Sequence, residues 1–141
     1  MFTYVMLGTD DLPRALAFYD PVMAILDQPR CFTDDALVGW GSREAPHARL
    51  YVGKPYDGQA ASFGNGTMLA IRAGSRAIVR KAYEAALAQG GSDEGAPGLR
   101  PDYGAHFYAA YVRDPGGNKL AFVCDTAMPD TSDPDTREDD A

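Results

Sequence analysis

The sequence predicts an α+β fold built from two βαβββ modules, and three observations support this. First, Tyr4-Val5-Met6-Leu7, Asp11 and Phe18-Tyr19 are matched at a constant offset of 64 by Met68-Leu69-Ala70-Ile71, Ser75 and Ala82-Tyr83. Second, each copy reads as a strand, a polar cap and a helix carrying a tyrosine. Third, each copy is followed by short β-patterned runs separated by turn residues. Two similar modules in so short a chain point to a pocket between them, whose facing residues decide the function. The expected boundaries are a first module over 1–53, a linker over 54–66, a second module over 67–125 and an acidic disordered tail over 126–141.

In the first module, residues 2–8 read as a strand. Thr9-Asp10-Asp11 supplies a helix cap, and Pro13 suits the first turn, where its missing N–H costs nothing. Leu12, Leu16, Tyr19 and Met23 recur at helical spacing. Pro21 is expected to kink this helix or move its end, and Pro29 to stop any continuation. Three short strands follow at Cys31-Phe32, Leu37 to Trp40 and Arg49 to Val52, with turns at Asp34-Asp35 and Ser42 to Pro46. Lys54 to Gly66 is rich in Gly, Ala and Ser and reads as the linker, or as a loop near a ligand.

The second module begins with a strand at Met68–Arg72. Ser75 caps a helix to about Ala88, which Gln89-Gly90-Gly91 ends. Ile78, Val79, Ala82, Tyr83, Ala86 and Leu87 form its apolar face. Ser92 to Pro101 reads as a long Gly/Pro-rich loop, so the strand expected there is weak. Phe107 to Val112 and Leu120 to Cys124 read as strands joined by Asp114-Pro115-Gly116-Gly117-Asn118. That is a strong turn signal, with Pro presetting φ and two Gly residues allowing positive φ.

The 141 residues are 45% hydrophobic with a net charge of −7. Seven acids against the single Arg137 give Asp125–Ala141 a net −6, leaving −1 for the rest. The tail composition therefore predicts a solvated segment. A near-neutral body lacks the basic face that nucleic acid requires. No apolar run approaches the roughly 20 residues of a membrane span. The start of the chain goes straight into a strand pattern with no leader signature, so a cytoplasmic location is the expectation. Cys31 and Cys124 do not form a CxxC pair and read as buried thiols rather than a disulfide.

Four pieces of the chain together resemble the vicinal oxygen chelate superfamily, which includes glyoxalase I, bleomycin resistance proteins and extradiol dioxygenases. They are Leu7-Gly8-Thr9-Asp10-Asp11-Leu12 with Phe18-Tyr19-Asp20; Gly64-Asn65-Gly66-Thr67; Gly90-Gly91 with Gly95-Ala96-Pro97-Gly98-Leu99-Arg100; and Tyr108-Ala109-Ala110-Tyr111-Val112-Arg113-Asp114-Pro115-Gly116-Gly117-Asn118. The resemblance covers residues 2 to about 124 and is nearest to small, glyoxalase-like bacterial members. It implies paired modules whose strands form a curled mixed sheet around a central cleft. In metal-using members, ligands come from the first and fourth strand of each module, usually His on the first and Glu or another oxygen donor on the fourth. Such a set holds a divalent ion that orients vicinal oxygens.

Carried over by position, that pattern lands on Tyr4, Tyr51, Met68 and Ala121. None is a usual Zn, Fe, Ni or Mg ligand, apart from Tyr in special iron sites. The expected cofactor set is therefore none, with a divalent metal on unusual ligands as the alternative. His47 and His106 are the only histidines. They read as a solvated turn residue and a cleft or surface residue, and no ligand spacing joins them to a carboxylate such as Glu44.

Tyr4, Tyr51 and Met68 suit a core role as well as a ligand-lining one. With small Ala121 leaving room, they would make an apolar pocket with phenol hydrogen-bonding handles. Trp40, Arg49, Arg100, Tyr103, His106 and Tyr108 complete the ligand-binding candidates. Arg49 would favour an anionic substrate if it pointed into the cleft, although an Arg at a sheet edge is the plainer reading. Asp114 is expected to shape its turn, and Tyr19 and Tyr83 to pack helix on sheet.

Three functional classes follow. The first is a metal-free binder of a small organic molecule, comparable to resistance proteins that sequester an antibiotic. The second is a glyoxalase-type lyase, isomerase or dioxygenase using unusual metal ligands. The third is a metal-free enzyme with Tyr4, Tyr51 or His106 as acid or base. The missing ligands favour the first. A homodimer with shared clefts is implied by the resemblance alone.

Overall fold

The computed structural model describes residues 1–127. The acidic stretch expected over 126–141 lies almost wholly outside the described residues. The element order is β1 (Tyr4–Gly8), α1 (Leu12–Ile25), β2 (Arg30–Thr33), β3 (Leu37–Trp40) and β4 (Arg49–Gly53), followed by β5 (Leu69–Arg72), α2 (Arg76–Ala88), β6 (Ser92–Leu99), β7 (Tyr108–Arg113) and β8 (Lys119–Cys124). A 3₁₀ turn, Pro101–Tyr103, precedes β7. This is the expected α+β pair of βαβββ modules.

Both helices start as their caps dictate. The Asp11 carboxylate accepts the Arg14 backbone N–H at 3.0 Å, and the Ser75 hydroxyl accepts that of Ile78 at 3.2 Å. Beyond α2, Gly90 adopts φ 93°, the left-handed geometry that terminates helices. Helix α1 runs on through Pro21 to Ile25. Pro21 cannot donate to the carbonyl one turn earlier, but its neighbours Tyr19, Val22 and Met23 are all buried. Tertiary packing therefore outweighs the lost bond.

Each module makes its own four-stranded sheet, in the orders β1-β4-β3-β2 and β5-β8-β7-β6. The first and last strands of each module run parallel and the others antiparallel. Within one chain the eight strands thus form two sheets rather than one continuous curled sheet. The Ser92–Leu99 segment, expected as a loop, pairs with β7 as β6, with register breaks around Gly95 and Gly98. Those breaks let a Gly/Pro-rich stretch follow a sheet edge.

The modules are joined through their helices. Helix α1 packs on α2, and α2 also covers β6, β7 and β8. One apolar cluster runs through both modules, from Phe18, Tyr19, Val22, Val38, Trp40 and Val52 to Val79, Ala82, Tyr108, Leu120 and Phe122. Full burial of each large apolar side chain contributes roughly 1.5–3 kcal/mol. The turn after β7 completes the joint. Tyr19 donates its hydroxyl to Asp114 at 2.6 Å, and Asn118 Nδ2 donates to the Gly8 carbonyl at 3.1 Å.

Asp114 shapes its turn as expected. One carboxylate oxygen accepts the backbone N–H groups of Gly116 and Asn118, both at 2.9 Å, and the other accepts Asn118 Nδ2 at 2.9 Å. Phe63, in the segment between β4 and β5, lies against this turn. A Cβ on Gly117, whose φ is 101°, would sit 2.5 Å from the Phe63 ring, and the Arg113 guanidinium stacks over that ring at 5.4 Å.

Candidate functional site

Strand register shows which residues of the two modules are equivalent. Tyr51 lies opposite Met6 between β4 and β1, and Ala121 lies opposite Ala70 between β8 and β5. Met6 and Ala70 stand at the 64-residue offset, so Tyr51 and Ala121 occupy the same place in their modules. One strand further in, Tyr51 faces Gly39 and Ala121 faces Tyr111. Each module therefore holds one tyrosine beside one very small residue on its open face, with the two exchanged between strands. The fit is tight: a Cβ on Gly39 would lie 2.5 Å from the Tyr51 ring, and one on Gly95 2.9 Å from the Tyr111 ring.

The open face of the first sheet carries a groove of about 290 Å³ lined by Tyr4, Met6, Phe32, Leu37 and Tyr51. Strand alternation sends Val5, Leu7, Leu50 and Val52 to the helix side and these residues outward. Tyr4 meets Tyr51 edge-on at 5.4 Å, and Phe32 meets the same ring at 6.2 Å. Tyr4 is 60% exposed.

The open face of the second sheet carries a larger groove of about 750 Å³. It is lined by Met68, Glu94, Gly95, Arg100, Tyr103, Phe107, Tyr111 and Lys119. A third hollow, about 420 Å³, runs between the modules along Val5, Met23, Trp40, His47, Arg49, Leu50, Leu69 and Ile71.

Of the residues singled out from sequence, Tyr4 and Tyr51 share the first groove, and Met68, Arg100 and Tyr103 share the second. One chain does not bring the two groups together in a single groove. Ala121 faces the open side but is fully buried, and it lines neither groove. The space expected beside it is closed.

Trp40 and Tyr108 line neither open-face groove, although Trp40 borders the hollow between the modules. Both sit on the helix side of their sheets with 1% and 2% exposure. Trp40 stacks on Tyr19 at 5.5 Å and donates its indole N–H to Asp20 at 3.0 Å, while Asp20 is also ion-paired with Arg30. Tyr108 lies beneath the Arg76 guanidinium at 5.2 Å. Strands β3 and β7 carry large residues on both faces, so alternation alone could not assign the inner one.

Arg49 donates to the Ser42 carbonyl at 2.9 Å and borders the inter-module hollow with His47. His106 is exposed in the turn before β7 and lines neither groove. The residues that sequence reasoning missed are Met6, Phe32 and Leu37 in one groove, and Glu94, Phe107, Tyr111 and Lys119 in the other. Period-two alternation from Tyr4 and Tyr51 would have found Met6, and alternation along 108–112 would have offered Tyr111.

The buried Tyr19 hydroxyl is pushed well above its ordinary pKa. Desolvation is the largest cause, followed by the Asp114 charge and the hydrogen bond to it. Tyr83 is also raised, by desolvation and then by its 2.9 Å hydrogen bond to Asp93. Both cysteines are free.

At the positions to which the resemblance assigns metal ligands, Tyr4, Tyr51, Met68 and Ala121, the side chains do not suit a divalent metal. They offer two phenols, a thioether and a methyl group. Among the described residues no group of three or more His, Cys, Asp or Glu is placed to hold a metal ion, and no helix is long and apolar enough to cross a membrane.

Paired βαβββ modules, each with one open sheet face, define the architecture of this chain. No family model matches the chain, and no curated protein matches it. Among solved structures, a glyoxalase/bleomycin resistance protein from Albidiferax ferrireducens T118 is 33% identical, with a TM-score of 0.80, over 87% of this chain and 98% of that one. A glyoxalase I mutant from Zea mays is 26% identical with a TM-score of 0.68, over 86% of this chain and 45% of that one. A glyoxalase/bleomycin resistance protein/dioxygenase family enzyme from Burkholderia phytofirmans PsJN shares the fold at 18% identity and a TM-score of 0.67. The chain belongs to the glyoxalase/bleomycin resistance protein family.

Proposed function

We propose that this protein binds a small organic molecule without a metal, in clefts completed by a second copy of the chain. The carrying observation is the donor set at Tyr4, Tyr51, Met68 and Ala121, which contains no imidazole or carboxylate. Aromatic and thioether groups in its place suit contact with an apolar body, and the phenols suit orientation by hydrogen bonding.

The dimer is supported by the separation of the two open faces. Each groove belongs to one module, and Tyr4 and Met68 are 60% and 45% exposed. Set against the second groove of a partner copy, the first groove of one chain would be enclosed together with it. Free thiols at Cys31 and Cys124 suit a reducing compartment such as the cytoplasm.

The test is metal content after purification without chelator. The expected result is far less than one divalent ion per chain, with ligand binding indifferent to chelator. A stoichiometric ion whose removal abolishes binding or turnover would overturn the metal-free reading in favour of a metal-dependent lyase or dioxygenase.

A further inference from the structure

We infer that the second-sheet groove recognises a small aromatic or unsaturated carboxylate, with Lys119 and Arg100 holding the anionic end. This rests on the reading of the groove as a small-molecule site and adds the class of molecule. The Tyr111 ring stands beside two cations, the Arg100 guanidinium at 5.5 Å and the Lys119 ammonium at 5.8 Å.

These two cations play different parts. Arg100 is anchored through hydrogen bonds to the Ala96 carbonyl at 2.7 Å and the Leu99 carbonyl at 3.3 Å. Two of its five N–H donors are thereby fixed, and the rest remain for a ligand. The Lys119 ammonium makes no hydrogen bond or ion pair among the described residues, and it stands over the Tyr111 ring.

The surrounding charge is unbalanced. Glu94 is the acid lining the groove, and it is committed to Arg113 at 2.7 Å. Arg113 in turn lies directly opposite Lys119 in the β7–β8 ladder. Like charges at facing positions destabilise a sheet. Neutralising Arg113 with Glu94 leaves Lys119 and Arg100 as excess positive charge, in a chain whose net charge is −7. A carboxylate between them would satisfy the free ammonium donors through charge-assisted bonds.

The rest of the groove takes an apolar body. Tyr103 and Phe107 meet edge-on at 5.5 Å, and Met68 and Tyr111 complete the apolar wall. The volume of about 750 Å³ is in the range of small-ligand sites.

The test is calorimetric titration of the full chain with cinnamate and with neutral cinnamamide. Cinnamate is expected to bind more tightly than cinnamamide, with an affinity that falls as salt rises. Lys119→Met should weaken cinnamate about tenfold or more while leaving cinnamamide unchanged, and Lys119→Arg should retain most of the affinity. Thermal melts of both variants check that the fold is intact. Equal binding of the two probes, unaffected by Lys119→Met, would overturn the anion inference and leave a small-molecule cleft standing. Binding of neither probe would overturn the inference, and displacement assays against a library of uncharged aromatics would then decide the cleft reading separately.

Discussion

The hydroxyl of Tyr19, on the first helix, donates a 2.6 Å hydrogen bond to the buried carboxylate of Asp114, in the last turn of the second module. This contact spans 95 residues of sequence and ties the two modules together. Tyr19→Phe keeps the ring stacked on Trp40 and removes only the donor. The expected loss is about 1–3 kcal/mol in urea unfolding, because a buried carboxylate oxygen loses a partner. Asp114→Ala is expected to cost more, since it also releases the Gly116 and Asn118 bonds.

The same pair gives a pH signature. The folded-state pKa of Tyr19 lies above its unfolded value, so its contribution is fully present below the unfolded pKa of about 10 and is lost as pH rises toward the folded value. Wild-type stability should therefore fall more steeply than that of Tyr19→Phe above about pH 10. Parallel curves for the two proteins in alkaline denaturant titrations would contradict this.

Gly116 and Gly117 should respond differently to alanine. At Gly117 the φ of 101° and the Phe63 ring at 2.5 Å both oppose a Cβ, so Gly117→Ala should cost about 1–3 kcal/mol. At Gly116 the nearest atom is 3.5 Å away, and Gly116→Ala should stay within about 0.5 kcal/mol. Adding Phe63→Ala to Gly117→Ala should recover the collision part of the loss and leave the backbone strain, which a double-mutant cycle of unfolding free energies separates.

Gly39→Ala should act on the first groove. Its Cβ would overlap the Tyr51 ring, which must swing away from Tyr4. The expected cost is about 1–3 kcal/mol, with loss of the ring-current shifts that the two tyrosines impose on each other in proton NMR.

Clefts shared between copies should show complementation. Tyr51→Ala damages the first groove and Lys119→Met the second. Mixed dimers of the two variants would contain one cleft damaged on both walls and one intact cleft. Unfolding and refolding the variants together should restore tighter cinnamate binding than either variant shows alone. A sedimentation mass of 15.1 kDa, that of one chain, would rule out the arrangement.

Much of the fold was legible because its signals are local. The Asp11 and Ser75 caps, the Leu37–Trp40 and Arg49 strands and the Asp114 turn depend on residues within a few positions of each other, and each formed where its pattern indicated. The site was less legible. Trp40 and Tyr108 look like ligand-lining aromatics on paper, yet both face a helix. Lys119 looks like an ordinary strand-end lysine, yet it lies in a groove beside Tyr111.

The sequence by itself determined the order of elements and the 64-residue repeat, since these follow from residue identity and spacing. Only the tertiary structure decided which face of each strand turned inward, that the strands of one chain make two sheets, and that Tyr19 reaches Asp114. Alternation groups residues by face but does not rank two faces that both carry large side chains. Pairing between distant segments depends on the packing of α1 on α2, which no local pattern encodes.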